Sequence, residues 1–149
     1  MIQRVQSVYL LVAVLMMVWT MFAPLGSYGD SSAIYYALGI ESVSSSQMNQ
    51  AGWGVFAIAC LSAIVALANI FVYKNRKLQI RLGIFNILIL VGWYAVYGAF
   101  AIAYGKQLEQ DYQLAYGMFL PLVAIVLSVL AVGAIRHDER LVRAADRLR

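Results

Sequence analysis

Four apolar runs, at residues 5–25, 51–73, 82–104 and 116–135, leave a chain of 149 residues little room for anything else. Each is close to the ~20 residues that an α-helix rising ~1.5 Å per residue needs to cross a hydrocarbon layer. The pattern predicts an all-α integral membrane four-helix bundle, one domain over 1–149, with an outer loop at 26–50 and a tail at 136–149. With 63% hydrophobic residues and only short connections between the runs, no soluble domain with its own core remains.

Charge sets the expected orientation. Arg4 precedes the first run, Lys74, Arg76, Lys77 and Arg81 separate the second from the third, and Arg136, Arg140, Arg143, Arg147 and Arg149 follow the fourth. Of the 11 basic residues only Lys106 falls on the opposite face, which also holds Asp30, Glu41, Glu109 and Asp111. Lys and Arg are retained on the cytoplasmic side during insertion, so both termini are expected there and both longer loops outside. The basic balance is then a topology signal and gives no reason to expect a nucleic-acid partner. The first run exceeds the ~7–15-residue core of a signal peptide and is read as an uncleaved helix. Cys60 lies mid-run, where a single cysteine acts as a small apolar group.

The outer loop is serine-rich but contains an apolar insert whose Ile34, Tyr35, Tyr36, Leu38 and Ile40 are too hydrophobic for a solvated linker. Two readings are open: a short helix or strand lying on the bundle's own outer end, or a docking surface for a partner. Within the third run Gly92, Ala95, Ala99 and Ala103 recur along one helical face, a small-residue seam that serves either the bundle itself or another subunit. Asn69 and Asn86 lie five residues from Lys74 and Arg81 respectively, which predicts similar depth and a hydrogen bond across the hairpin. Trp93, Tyr94 and Tyr97 lie deep in the third run; their polar atoms need acceptors in the core or in an apolar ligand site.

The tail carries Arg136, Arg140, Arg143 and Arg147 on one helical face, with Glu139 and Asp146 each placed to pair with Arg143. Leu141, Val142, Ala145 and Leu148 give it an apolar side, so an amphipathic helical tail is expected against anionic headgroups or a partner. No Asp, Glu, Lys, Arg or His interrupts the apolar part of any run, which argues against a pump or coupled transporter. The lone histidine, His137, sits at a helix end where carbonyls and headgroups explain it without a metal. No phosphate-binding loop, zinc-protease motif, cysteine pair or serine-hydrolase elbow is present, so no catalytic residue, metal or cofactor is expected and the chain is not read as an enzyme.

The opening Met1-Ile2-Gln3-Arg4-Val5-Gln6-Ser7 and the closing Asp138-Glu139-Arg140-Leu141-Val142-Arg143 resemble domain-of-unknown-function family 4293, small four-span proteins of Bacteroidetes-type bacteria. The resemblance implies the multi-pass inner membrane of a Gram-negative cell and brings no catalytic residues with it. Three functions follow as expectations. The first is a non-enzymatic accessory or assembly subunit of a larger inner-membrane complex. The second is a lipid- or quinone-binding protein or passive carrier with its site at Trp93, Tyr94, Tyr97, Asn69 and Asn86. The third is a recruiter of an acidic cytoplasmic partner through the arginine face.

Overall fold

The computed structural model describes residues 2–29, 33–42, 48–49, 52–73, 75–109 and 111–147. Its four helices are α1 (Ile2–Phe22), α2 (Trp53–Phe71), α3 (Arg76–Leu108) and α4 (Phe119–Arg147). Each contains a stretch long and apolar enough to cross a membrane, with mean hydropathy between 1.9 and 2.7. No more than 33% of any such stretch is buried, so most of each helix turns apolar side chains such as Val8, Leu61, Leu88 and Val126 outward. A surface of that kind needs an apolar solvent, and the chain is a multi-pass membrane protein on this ground.

The helices form a ring in which each packs on its neighbours in sequence and α4 closes back on α1. α1 stops at Phe22, just before Pro24, which cannot continue it. Pro121 falls in the first turn of α4, where its missing N–H costs nothing. From there α4 runs unbroken to Arg147, so span and tail are one helix.

The expectation of a purely helical protein is corrected at one end. The two connections there form a five-stranded antiparallel sheet from β1 (Gly26–Tyr28), β2 (Ala33–Tyr36), β3 (Gly39–Ser42), β4 (Met48–Asn49) and β5 (Tyr112–Leu114), in the order β4-β3-β2-β1-β5. The apolar insert makes a hairpin: Tyr36 pairs with Gly39 across a two-residue turn, and Tyr35 with Ile40. Its residues alternate, Ala33, Tyr35 and Ile40 buried against the bundle, Ile34 and Tyr36 half-exposed on the other face. A run apolar on both faces hides its period of two, which is why hydropathy alone leaves helix and strand both open there; the insert is the strand of those two, lying on the bundle's own end. β5, between α3 and α4, pairs with β1 in register from Gly26 with Leu114 to Tyr28 with Tyr112, and so joins the two helical hairpins.

Two glycines allow this cap to close. A Cβ on Gly26 would fall 1.9 Å from the Tyr112 hydroxyl, and one on Gly117 would fall 2.4 Å from the Pro24 carbonyl oxygen. Trp19, Phe22, Trp53, Tyr116 and Phe119 stand exposed around the same end, the distribution expected of an aromatic belt at a membrane boundary.

Candidate functional site

Below the sheet lies the largest buried cluster of aromatic rings. Trp93 and Tyr97 stack at 5.2 Å between ring centroids, Tyr97 stacks on Tyr35 at 5.8 Å, and Tyr104 meets Tyr35 edge-on at 5.8 Å. Most of their polar atoms are bound to main chain. Trp93 Nε1 donates to Val55 O at 3.0 Å, Tyr94 Oη to Met118 O at 2.7 Å, Tyr28 Oη to Ala101 O at 2.9 Å, and both Tyr97 and Tyr112 reach Leu25 O at 3.1 Å. Tyr97 and Tyr112 also bond to each other. Burial pushes the Tyr28 phenol up to about 12 and raises those of Tyr35 and Tyr112 as well, so these phenols are held neutral. The hydroxyls of Tyr35 and Tyr104 are buried without a partner among the described residues.

Trp93, Tyr94 and Tyr97, the residues proposed from sequence to line an apolar ligand site, are thus packed in the core with their polar atoms bound to carbonyls. Three grooves lie elsewhere, around Gln6 and Asp138, around Arg136 and Arg140, and around Met21 and Leu38.

Trp93 is also the top rung of a ladder between α2 and α3. Val55 O accepts from Trp93 Nε1, Ser62 Oγ donates to Asn86 Oδ1 at 2.9 Å, and Asn69 O accepts from Gln79 Nε2 at 3.4 Å. Successive rungs step by seven residues on both helices, two turns each, the repeat of an antiparallel helix seam. The expected bond between Asn69 and Asn86 is therefore not made: Asn86 meets Ser62, one repeat away from Asn69. Counting depth from Lys74 and Arg81 misplaces the register because Arg81 lies in the second turn of α3, and long basic side chains reach the interface from within a span. The Asn69 side chain is fully buried, and neither of its amide atoms has a partner among the described residues.

At the end where the chain termini lie, Gln6 Nε2 donates to Asp138 Oδ2 at 2.8 Å, linking α1 to α4, and Arg76 Nη1 donates to Asp138 O at 3.3 Å. With Ser7, Tyr73, Gln79 and Ile135 these residues surround a small polar cavity of about 20 Å³. Beyond it Arg136, Arg140 and Arg143 are exposed, and Arg143 pairs with Glu139 one turn back. The side chains of Asp146 and Arg147, and residues 148–149, lie outside what is described.

The small-residue seam of α3 faces away from the bundle. Gly92, Ala95, Ala99 and Ala103 are all exposed, and a Cβ on Gly92 would meet nothing within 4 Å. Of the insert residues proposed as a docking surface, Tyr35 and Ile40 are buried in the protein's own core, while Ile34, Tyr36 and Leu38 remain half-exposed.

The family model described as Domain of unknown function (DUF4293) matches residues 2–148, spanning all four helices and the sheet between them. The chain belongs to that family. No curated protein matches it. The charge pattern of this DUF4293 member puts both terminal motifs on one side and so predicts that Gln6 can meet the arginine face of the tail; Gln6 does reach the tail, but its partner is Asp138, 132 positions away. Tyr112, bonded to Tyr97 and Leu25 O, sits in a connection too short to suggest a strand. Among the described residues no three His, Cys, Asp or Glu side chains gather as a metal site would require.

Proposed function

We propose that the protein is a non-enzymatic accessory or assembly subunit of a larger complex in the inner membrane of a Gram-negative cell, with both termini cytoplasmic. The observation that carries this reading is the exposed stripe of Gly92, Ala95, Ala99 and Ala103. Within the bundle, close packing uses other small residues: Ala13, Ala59, Ala63, Ala66, Ala124 and Ala131 are buried. The α3 stripe is left over, flat along about three helical turns, and flat faces are what let transmembrane helices approach closely. The distribution of Lys and Arg supports the orientation. The test is isolation of the tagged protein from its own membranes in mild detergent beside an Ala99→Trp variant. A stoichiometric larger assembly that the folded variant fails to join is expected; a wild-type protein that isolates alone overturns the reading.

A second reading, recruitment of an acidic cytoplasmic partner, is favoured by Arg136 and Arg140. Both are exposed and unpaired among the described residues, beside Arg143 in a surface groove of about 150 Å³. Reversing Arg136 and Arg140 to Glu then abolishes recruitment while leaving the bundle's melting intact; undiminished recruitment excludes it.

A further inference from the structure

Between the sheet-end terminus of α1 and the β2–β3 hairpin lies an open groove of about 220 Å³, lined by Met21, Phe22, Tyr36, Leu38 and Glu41. Its lining is mostly apolar, and Glu41 and Tyr36 are the two lining residues whose side chains carry polar groups. Neither the Glu41 carboxylate nor the Tyr36 hydroxyl has a hydrogen-bond or ion-pair partner among the described residues. The groove's depth follows from its neighbours. Phe22 is the last residue of α1 and is 71% exposed, and Trp19, one turn earlier, is 56% exposed; both belong to the aromatic belt at the membrane boundary. The apolar wall thus begins at hydrocarbon level, and Glu41 and Tyr36 stand where lipid headgroups lie.

We propose that this groove holds the headgroup of a zwitterionic aminolipid, its ammonium on the Glu41 carboxylate, its phosphate or ester oxygen accepting from the Tyr36 hydroxyl, and its upper acyl chain along Met21, Phe22 and Leu38. Charge complementarity selects this occupant. An uncompensated carboxylate at the mouth of an apolar groove disfavours an anionic headgroup and favours a cationic one, and a primary ammonium brings three N–H donors to two carboxylate oxygens. A phenol from the same lining, that of Tyr36, suits the oxygens that sit next to the ammonium in such a headgroup. The site is independent of the α3 stripe, on another helix, so its failure leaves the subunit reading untouched.

The experiment is reconstitution of the full chain into nanodiscs containing equal amounts of ethanolamine and glycerol phospholipids, followed by native mass spectrometry of the lipids retained. Wild type is expected to retain the ethanolamine lipid about fivefold over the glycerol lipid, the discrimination that ~1 kcal/mol gives. Glu41→Gln brings the ratio to parity with unchanged melting. Leu38→Lys, which places a competing ammonium beside Glu41, does the same, and keeps the test decisive if the first variant folds poorly. Equal retention by wild type, or a preference that both folded variants keep, overturns the proposal, and so does occupancy by a polypeptide segment in place of lipid.

Discussion

At the sheet end Tyr28, Tyr94, Tyr97 and Tyr112 donate to main-chain carbonyls, whereas at the terminal end Gln6 and Asp138 meet side chain to side chain. A main-chain carbonyl is fixed by the backbone, and the ring that reaches it also fills core volume. A side-chain acceptor is held only by its own rotamer. The sheet end combines packing with polar satisfaction in the same residues; the terminal end separates them, with α1 tied to α4 by the Gln6–Asp138 pair and α3 tied to α4 by Arg76 on Asp138 O. The middle rung, Ser62 with Asn86, lies between these regimes and fixes the register of α2 on α3.

The largest expected break of this contrast comes from Trp93→Ala. Trp93 is fully buried, stacked on Tyr97 and bonded to Val55 O, so its truncation should cost about 3–5 kcal/mol, read as a lowered unfolding midpoint in detergent. At the other end Gln6→Leu keeps the volume but removes the donor to Asp138, with an expected loss of about 1–3 kcal/mol. A larger loss from Gln6→Leu than from Trp93→Ala would reverse the ranking of the two ends. Asn69→Leu sharpens the contrast with the opposite sign. Both amide atoms are buried without partners among the described residues, so the substitution should be neutral or stabilise by up to ~1 kcal/mol, measured the same way. Smallest at neutral pH is the effect of the sheet-end phenols, which appears only in alkali. With the Tyr28 phenol raised to about 12, its stabilising contribution is complete below pH 10 and is lost as pH rises from 10 toward 12. Melting should fall across that window in wild type and fall less steeply in Tyr28→Phe, while Gln6→Leu leaves the slope unchanged.

The four helices were legible because length and hydropathy alone decide a span. Which way each face turns was not. In water the apolar side of a helix faces the core, but in lipid both sides are apolar, so the stripe from Gly92 to Ala103 reads identically whether it packs inward or outward. The inward direction of Trp93 and Tyr97 was legible, because an indole N–H and a phenol deep in a span need acceptors that lipid does not supply. The extent of the sheet was hidden for a different reason: its strands are two to four residues long, and β5, which pairs with β1, comes from a separate connection. The Arg136, Arg140 and Arg143 face was readable from spacing because charge, unlike hydropathy, keeps its meaning at a membrane boundary.

The pairing of β1 with β5 has a consequence for biogenesis. Gly26 and its partner Leu114 are separated by 88 residues of chain. At ~5–20 residues per second, a ribosome takes roughly 4–18 s to supply the second strand after the first. In the finished sheet β1 lies between β2 and β5, so until the third span has delivered β5 one edge of β1 has no strand to pair with. The edge of a nascent sheet thus records whether membrane integration has run to completion, and a chain arrested after its second span displays an unfinished strand to whatever quality control patrols that surface.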